Sequence, residues 1–314
     1  MQLNQKALER AAELVVRASA LRVAVSRDES GARLIDCGVH VTGGLDAGMG
    51  LAEVCLASLG RVSLAAGDPA VWPGPAVAVH TDQPLLACMA SQYAGWQIAG
   101  ERYFAMGSGP MRALRGREPL LEQLELLDHC EAAVGVLESG RLPPAHVCRH
   151  IAEECHVDPE DLTLLVAPTR SIAGTVQVVA RSVETALHKM HEIGFDLRAV
   201  VSGFGVAPLP PVAADDLTGI GRTNDSILYG GTVTLWVRGD DAQLQEIGPQ
   251  IPSSASSDHG QPFAVVYERY ERDFYKIDPR LFSPAVIQLV NMTSGRSHRF
   301  GTVLPDVLRR SFES

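Results

Sequence analysis

Four polar residues recur at helical spacing in the stretch VQVVARSVETALHKM, residues 176–190. They are Gln177, Arg181, Glu184 and His188, and Arg181 and Glu184 are near neighbours at positions i and i+3. In a cleft, the arginine would keep the glutamate ionised and oriented, so that Glu184 could act as a base on water or stabilise a cationic substrate. On a solvated helix the same two residues form an ion pair worth about 0–1 kcal/mol. Spacing alone favours the surface pair.

An amphipathic helix has to position these side chains. Its apolar positions recur every three or four residues on the opposite side, and they are Val176, Val179, Val183, Leu187 and Met190. The pattern predicts one helix over 176–190, continuing to a stop at Gly194.

Strands and helices alternate through the middle of the chain. Apolar runs predict strands at 132–138 and 162–168, and a third strand begins at 197. A helix opened by prolines is predicted at 143–157. The alternation favours a layered α/β region.

The two ends of the chain carry hairpin signals. Strand-like runs at 21–25 and 33–41 flank a turn-rich gap, and a second hairpin is predicted around residues 293–296. A helix is predicted at 84–99 and a strand at 232–239. We therefore expect an α+β protein of two domains with a ligand cleft between them.

Composition sets limits on the partners. The 314 residues are 46% apolar and 20% charged, which is typical of a globular protein with a full core. The net charge of −10 argues against nucleic acid as a main partner. No run approaches the roughly 18 apolar residues of a membrane span, and the N-terminal helix has no signal-peptide pattern. We expect a soluble, cytoplasmic protein.

The six cysteines contain no CxxC pair. Cys148, His150, Cys155 and His156 are candidate metal ligands, but zinc sites usually show tighter paired spacing. Cys148 and Cys155 lie seven residues apart on a predicted helix, which places them on one stripe, so buried core positions are the favoured interpretation.

Small-residue stretches could cradle a ligand. FAMGSGPMRAL (104–114) and SGFGVAP (202–208) follow or overlap predicted strands, but neither is a dinucleotide-binding GxGxxG. The GxxxxGK[ST] and GxSxG motifs do not occur in the sequence.

Two polar stretches remain open to more than one interpretation. PSSASSDHG, residues 252–260, holds serine, aspartate and histidine, and a polar loop is favoured over a catalytic triad, because triads converge in space rather than along the chain. Asn224 and Asp225 could cap a helix or hydrogen-bond a heterocycle.

Several stretches occur in the order that they have in one enzyme family. They are DCGVHVTGGLDAG, TDQPLLACMASQYAGWQI, YFAMGSGPMRAL, LVAPTRSIAGTVQVVARSVETALHK, VSGFGVAP, GRTNDSILYGG, PSSAS and DFYKIDP. Each is moderately specific alone, but the ordered set, over residues 30–300, is highly specific. On these motifs the chain resembles the methenyltetrahydromethanopterin cyclohydrolase family.

The resemblance implies fold, activity and partners. The implied reaction is reversible hydrolysis of the methenyl bridge of N5,N10-methenyltetrahydromethanopterin to the N5-formyl compound. The C1 carrier, tetrahydromethanopterin or its dephospho form, is the substrate, and no metal or redox cofactor is implied. The implied fold has two different α/β domains with the pterin pocket in the cleft between them. The implied assembly is a homo-oligomer, with a trimer favoured.

The resemblance also assigns residues. The family's catalytic Arg and Glu match Arg181 and Glu184 in ARSVET. Substrate-binding roles are implied, less specifically, for Gln177, Asn224, Asp225, Ser253 and Ser254. Arg170 stands where a small residue is expected, and its role is left open.

Domain bounds and physiology complete the expectations. We assign 1–85 with 212–314 to one domain and 86–211 to the other, with PLPPV (208–212) as the most linker-like stretch. The resemblance implies either reduction of formyl units in methane-forming archaea or oxidation of formaldehyde in methylotrophic bacteria. Only three of 27 cations are lysine, which fits a bacterium better and favours formaldehyde oxidation. The alternatives are a catalytically silent pterin-binding protein of the same fold and a cyclohydrolase that acts on a folate.

Overall fold

The computed structural model describes residues 1–273 and 276–313. Phe274 and Tyr275 of the motif DFYKIDP lie outside these residues. The chain divides into two compact units. The first unit comprises Met1–Arg61 and Leu86–Gln177, and the second comprises Val62–Leu85 and the chain from Val178 onward. Each unit is built on its own mixed sheet, so the expected α+β fold of two domains is confirmed.

The sheet of the first unit has the strand order β1-β2-β8-β7-β6-β5, with strands numbered along the whole chain. These strands are β1 (Ala24–Arg27), β2 (Arg33–Asp36), β5 (Trp96–Gly100), β6 (Tyr103–Ser108), β7 (Ala133–Glu138) and β8 (Leu162–Ala167). β1 and β2 form the predicted hairpin, and β8 pairs in parallel with both β2 and β7. The carboxyl ends of these three parallel strands therefore lie at one edge of the sheet.

The sheet of the second unit has the order β12-β11-β10-β9-β4-β3. Its strands are β3 (Gly60–Ala66), β4 (Pro75–Thr81), β9 (Val200–Pro208), β10 (Thr232–Val237), β11 (Val286–Asn291) and β12 (Ser297–Gly301). β10 and β11 are parallel, whereas β9 is antiparallel to both β4 and β10. β11 and β12 form the hairpin predicted around residues 293–296.

Helices pack around both sheets. In the first unit they are α1 (Leu3–Val16), α2 (Ala18–Leu21), α3 (Leu45–Cys55), α4 (Met111–Arg115), α5 (Pro119–Gln123) and α6 (Ala145–Glu154), followed by α7 (Ile172–Val179), which carries the boundary between the units. In the second unit they are α8 (Ser182–Glu192), α9 (Asp216–Gly230), α10 (Asp241–Ile247), α11 (Phe263–Arg269) and α12 (Pro305–Phe312).

Two predicted helices differ from the observed ones. The helix predicted at 84–99 is a π-helix, Leu85–Gln92, followed by strand β5. The helix predicted over 176–190 is interrupted at Ala180 and Arg181, so that α7 ends and α8 begins there. The apolar spacing continues across this interruption, which is why periodicity alone did not reveal it.

Both faces of the first sheet are covered. Neighbouring residues of β8 belong to different core clusters, since Leu164 packs with α6 and Leu165 packs with α1 and α3. Cys148 and Cys155 are buried in the cluster around α6, which confirms their predicted core positions. A sheet covered on both faces explains the continuous apolar runs of its strands.

Helix α8 approaches strand β9 of the second sheet very closely. A Cβ atom added at Gly203 would lie 2.7 Å from Cγ1 of Val183, and one added at Gly205 would lie 2.3 Å from Oγ of Ser182. The stretch SGFGVAP is therefore strand, not a ligand-cradling turn. Its two glycines make room for the first turn of α8.

The units differ from the predicted domain bounds. Residues 1–61 group with 86–177 because β2 pairs with β8. The chain from 178 to 211 groups with the C-terminal part because β9 pairs with β10. Strand pairing between distant residues leaves no signal in the local composition of the chain. The stretch PLPPV (208–212) lies within the second unit and is not a boundary between the units.

We predict that Gly203→Ala lowers the free energy of unfolding by about 1–3 kcal/mol, because the new methyl group overlaps the stiff side chain of Val183. Gly239→Ala is the matched control, since a Cβ atom there meets nothing within 4 Å. Urea denaturation of both variants measures the difference. Equal stability of the two variants would contradict the close approach.

Candidate active site

The start of α8 brings Arg181 and Glu184 onto one helical turn. The carbonyl of Arg181 accepts the amide N–H of Thr185 at 2.9 Å, so Arg181 is the residue that leads into the helix. Glu184 lies in the first turn. The amino end of a helix carries a partial positive charge, which favours a carboxylate at this position.

Both side chains are buried. Arg181 is 6% exposed and Glu184 is 5% exposed. A solvated ion pair therefore does not describe them. Charged side chains are kept this far from water only with compensating partners or for a chemical purpose. His188 differs, because its side chain is 26% exposed and its Nε2 lies 3.7 Å from Glu192 Oε1 near the end of the helix.

Gln177 is buried at the end of the first unit. Its Nε2 donates a hydrogen bond of 3.2 Å to Oε1 of Glu138, the last residue of β7. Glu138 is not among the candidate residues predicted from the sequence. Its place directly after an apolar run could have indicated a functional position, because ligands of α/β sheets bind at the carboxyl ends of parallel strands.

Strand β2, which lies on the other side of β8 from β7, ends in a tightly bonded loop. The carboxylate of Asp36 accepts the backbone N–H groups of Gly38, Val39 and His40 at 2.6–2.9 Å. This arrangement fixes the beginning of the motif DCGVHVTGGLDAG. The carboxyl edge of the first sheet thus carries Asp36 and Glu138 on β2 and β7.

The loop after β8 lies at the same edge and leads into α7. The hydroxyl of Ser171 accepts the N–H of Gly174 at 3.0 Å and donates to the carbonyl of Pro168 at 2.8 Å. Arg170 lies exposed in this turn. Arg170, which stands where a small residue is expected, is therefore a surface residue of this loop, and its role stays open.

Asn224 and Asp225 make hydrogen bonds inside the second unit. The Asn224 side chain donates to the carbonyl of Ile220 in its own helix at 2.8 Å. Asp225 is fully buried and accepts the N–H of Phe263, the first residue of α11, at 2.8 Å. Burial raises the pKa of Asp225 to about 7, against the lowering effect of Ser311 and the Phe263 N–H. The geometry gives Asp225 a structural role that joins α9 to α11.

The PSSASSDHG stretch is a bonded polar loop. The Ser253 hydroxyl is buried and donates to the carbonyl of Leu228 at 2.5 Å, whereas Ser254 is exposed. Asp258 accepts hydrogen bonds from Arg269 and Tyr270. Ser253 and Asp258 thus bond to partners other than a histidine, as expected for a polar loop.

Residues 1–273 and 276–313 contain no group of three or more His, Cys, Asp or Glu side chains placed to hold a metal ion. Within the same residues, no helix has the length and apolar character needed to cross a bilayer.

The buried arginine and glutamate at the start of α8 are residue types that can carry acid–base chemistry. Comparisons with known proteins identify the family. The family model Cyclohydrolase (MCH) matches residues 2–312. The chain therefore belongs to the Cyclohydrolase (MCH) family and is a hydrolase.

Several relatives of this chain carry the same name. Methenyltetrahydromethanopterin cyclohydrolase of Rhodopirellula baltica is 51% identical, over 90% of this chain and 86% of that one. The protein of that name in Methylobacterium sp. strain 4-46 is 48% identical, over 95% and 94% of the two chains. That of Methanococcoides burtonii is 45% identical, over 90% and 89%.

We predict that Asp225→Asn changes how stability depends on pH. A folded-state pKa of about 7 lies above the unfolded value of about 3.9, so the contribution of Asp225 is complete below the unfolded value and is lost as pH rises through 7. The loss is about 1.4 kcal/mol for each pH unit between the two values. Asparagine does not titrate, so the stability of wild type relative to the variant should fall between pH 4 and 7.

The measurement is chemical denaturation of both proteins across this pH range. Asp215→Asn is the control, because Asp215 is an exposed cap of α9 with a lowered pKa and its contribution changes in the opposite direction. A constant difference between wild type and Asp225→Asn would show that Asp225 ionises alike in both states.

Proposed function

We propose that this chain hydrolyses the methenyl bridge of N5,N10-methenyltetrahydromethanopterin, reversibly, to N5-formyltetrahydromethanopterin. The observation that carries the proposal is the burial of Arg181 and Glu184 on the first turn of α8, in a chain whose relatives bear the name of this enzyme. The C1 carrier, in its full or dephospho form, is the substrate.

The chemistry begins with a delocalised cation. The methenyl group shares its positive charge between the bridging carbon and two nitrogens, so a carboxylate beside it stabilises the bound substrate. Glu184 takes a proton from water as the oxygen attacks the bridging carbon, which gives a neutral carbinolamine. The C–N10 bond then breaks, Glu184 returns the proton to N10, and the hydroxyl proton leaves as the N5-formyl group forms. One water is consumed and one proton is released.

Arg181 has a positioning role in this proposal. A guanidinium one turn from Glu184 favours the ionised carboxylate, and its planar donors can hold the carboxylate in one orientation. The position of Glu184 in the first turn of α8 also favours the ionised carboxylate, because the helix dipole is positive at that end. Both effects keep a proton acceptor available near neutral pH.

The substrate-binding assignments have unequal support. Gln177 is held by Glu138, and we assign both to the pterin-binding surface of the first unit. Asn224, Asp225 and Ser253 use their side chains for hydrogen bonds inside the second unit, so a direct substrate contact has less support for them. The exposed hydroxyl of Ser254 has no protein partner among the described residues and is free to bind substrate.

The biological setting is part of the proposal. We assign the enzyme to formaldehyde oxidation in a methylotrophic bacterium, because its cations are almost all arginine and its identity to the Rhodopirellula and Methylobacterium proteins exceeds that to the Methanococcoides protein. A homo-oligomer, with a trimer favoured, is proposed from the family resemblance.

We predict that Glu184→Gln lowers kcat by about 100-fold or more, because the amide cannot accept the proton from water. Glu192→Gln is the matched control, since Glu192 lies on the same helix with its side chain 41% exposed. Loss of the methenyl chromophore of the substrate measures both rates. Unaltered turnover in Glu184→Gln would refute the base assignment.

The same assay separates the alternatives. Binding of the methenyl compound without turnover by wild type would favour the silent pterin-binding protein. Faster turnover of methenyltetrahydrofolate than of the methanopterin derivative would favour the folate enzyme. Turnover of the methanopterin derivative alone supports the proposal.

We predict that Arg181→Lys lowers kcat by about tenfold or more while KM changes little, because lysine keeps the charge but loses the planar fork that orients the carboxylate. Arg181→Met should lose more activity, since it removes the charge as well. His188→Gln is the control on the same helix. Full activity in Arg181→Lys would show that charge alone is required.

A further inference from the structure

The first sheet has an exposed surface on the face that α1 and α3 cover elsewhere. Side chains two residues apart on a strand share a face, so Glu138 points to the same side as Val134 and Val136 of β7. Both valines belong to the apolar cluster that contains residues of α1 and α3. Strands β6 and β5 extend this face beyond β7. We call this part of the face the β5–β6 surface, and its side chains are Gln97, Ala99, Phe104, Met106 and Glu138.

The strand register places an aromatic ring diagonally next to a carboxylate. Met106 of β6 is the direct partner of Glu138 on β7. Phe104 lies two residues before Met106 on the same face and pairs with Ala99 of β5. Diagonal neighbours in an antiparallel pair are about 7–8 Å apart, which is within reach of an aromatic side chain. Phe104 and Glu138 can therefore contact the same small molecule.

The ring of Phe104 is exposed although it lies within a strand. Its side chain is 58% exposed, whereas Tyr103 and Ala105 on either side of it are buried in the cluster around α6. Ala99, directly across from Phe104, carries only a methyl group and is itself exposed, so it cannot cover the ring. Met106 is half-buried beside Phe104. The β5–β6 surface thus presents a flat apolar group to solvent.

The surroundings of Phe104 point to a planar ligand. A single exposed apolar side chain needs no explanation. Here, however, the ring adjoins Met106 and lies beside Glu138, which accepts a hydrogen bond from the buried Gln177 at 3.2 Å. A heterocycle needs polar groups for its edge and a flat apolar group for its face, and the β5–β6 surface carries both.

We propose that Phe104 packs its ring against the flat pterin ring of the substrate and so sets how tightly that ring is held. The inference rests on the proposed function, because it adds a contact with the face of the pterin to the binding role of Glu138 and Gln177. The methenyl pterin is a flat, delocalised cation, and an aromatic face attracts both flat rings and positive charge. Phe104 has no titratable group, so it contributes to binding and not to proton transfer.

The first test separates binding from turnover. Phe104→Ala should raise KM about tenfold or more while kcat changes less than twofold, since removal of a stacked aromatic side chain weakens binding of a flat ring by about this factor. Leu127→Ala is the control, because it shortens an apolar side chain that is 45% exposed in the same unit. Loss of the methenyl chromophore gives both constants, and circular dichroism checks that each variant is folded.

The second test measures binding alone, in the Glu184→Gln variant, where the methenyl compound should bind without turnover. Titration calorimetry gives Kd, and a shift in the absorption of the bound chromophore reports a stacked ring. Addition of Phe104→Ala or Phe104→Leu should weaken binding and remove this shift. Addition of Phe104→Tyr keeps a flat ring, so it should keep both the Kd and the shift.

Two results would overturn the inference while the proposed activity stands. One is a Kd for the Phe104→Ala variant within twofold of its parent. The other is a Phe104→Leu variant that binds like its parent, because leucine keeps the apolar surface without the flat ring. A change in sedimentation mass at unchanged Kd would assign the β5–β6 surface to contacts between proteins instead. A wild type that neither binds nor converts the methenyl compound would overturn the proposed function and this inference with it.

Discussion

The contact between α8 and β9 is the constraint on which the candidate site depends. Gly203 and Gly205 let the first turn of the helix approach the strand more closely than any side chain would allow. That turn carries Arg181 and Glu184, so the strand glycines determine where both charges lie. Because the same turn is buried, the two charges are removed from the screening of water, which strengthens their interaction with any charged molecule that reaches them.

The first unit contributes its polar groups by a different principle. Its parallel strands are covered on both faces and are therefore largely apolar, so charged side chains appear where the strands end. Asp36 and Glu138 stand at two such ends. One carboxylate is occupied by backbone amides, whereas the other receives the side chain of Gln177. The two carboxylates at this sheet edge thus have different partners, backbone amides for Asp36 and a side-chain amide for Glu138.

The polar residues of the family motifs in the second unit make structural hydrogen bonds. Asp225 joins α9 to α11, and Ser253 bonds the carbonyl of Leu228 on α9. Their types are explained by these hydrogen bonds without a substrate. The sequence predicts either helix capping or heterocycle binding for Asn224 and Asp225, and their hydrogen bonds favour a structural role. Ser254 differs because its side chain faces solvent.

By itself the sequence determined the family, the α+β class, the strands at β7 and β8, both hairpins and the helical spacing of Arg181 and Glu184, because these follow from local pattern and motif order. Only the tertiary structure decided that the two charges are buried, that the helix is interrupted at Ala180 and Arg181, and that Glu138 holds Gln177. It also joined residues 1–61 to 86–177, against the predicted bounds. The physical reason is that burial and strand pairing depend on residues far apart in the chain, whose proximity leaves no local trace.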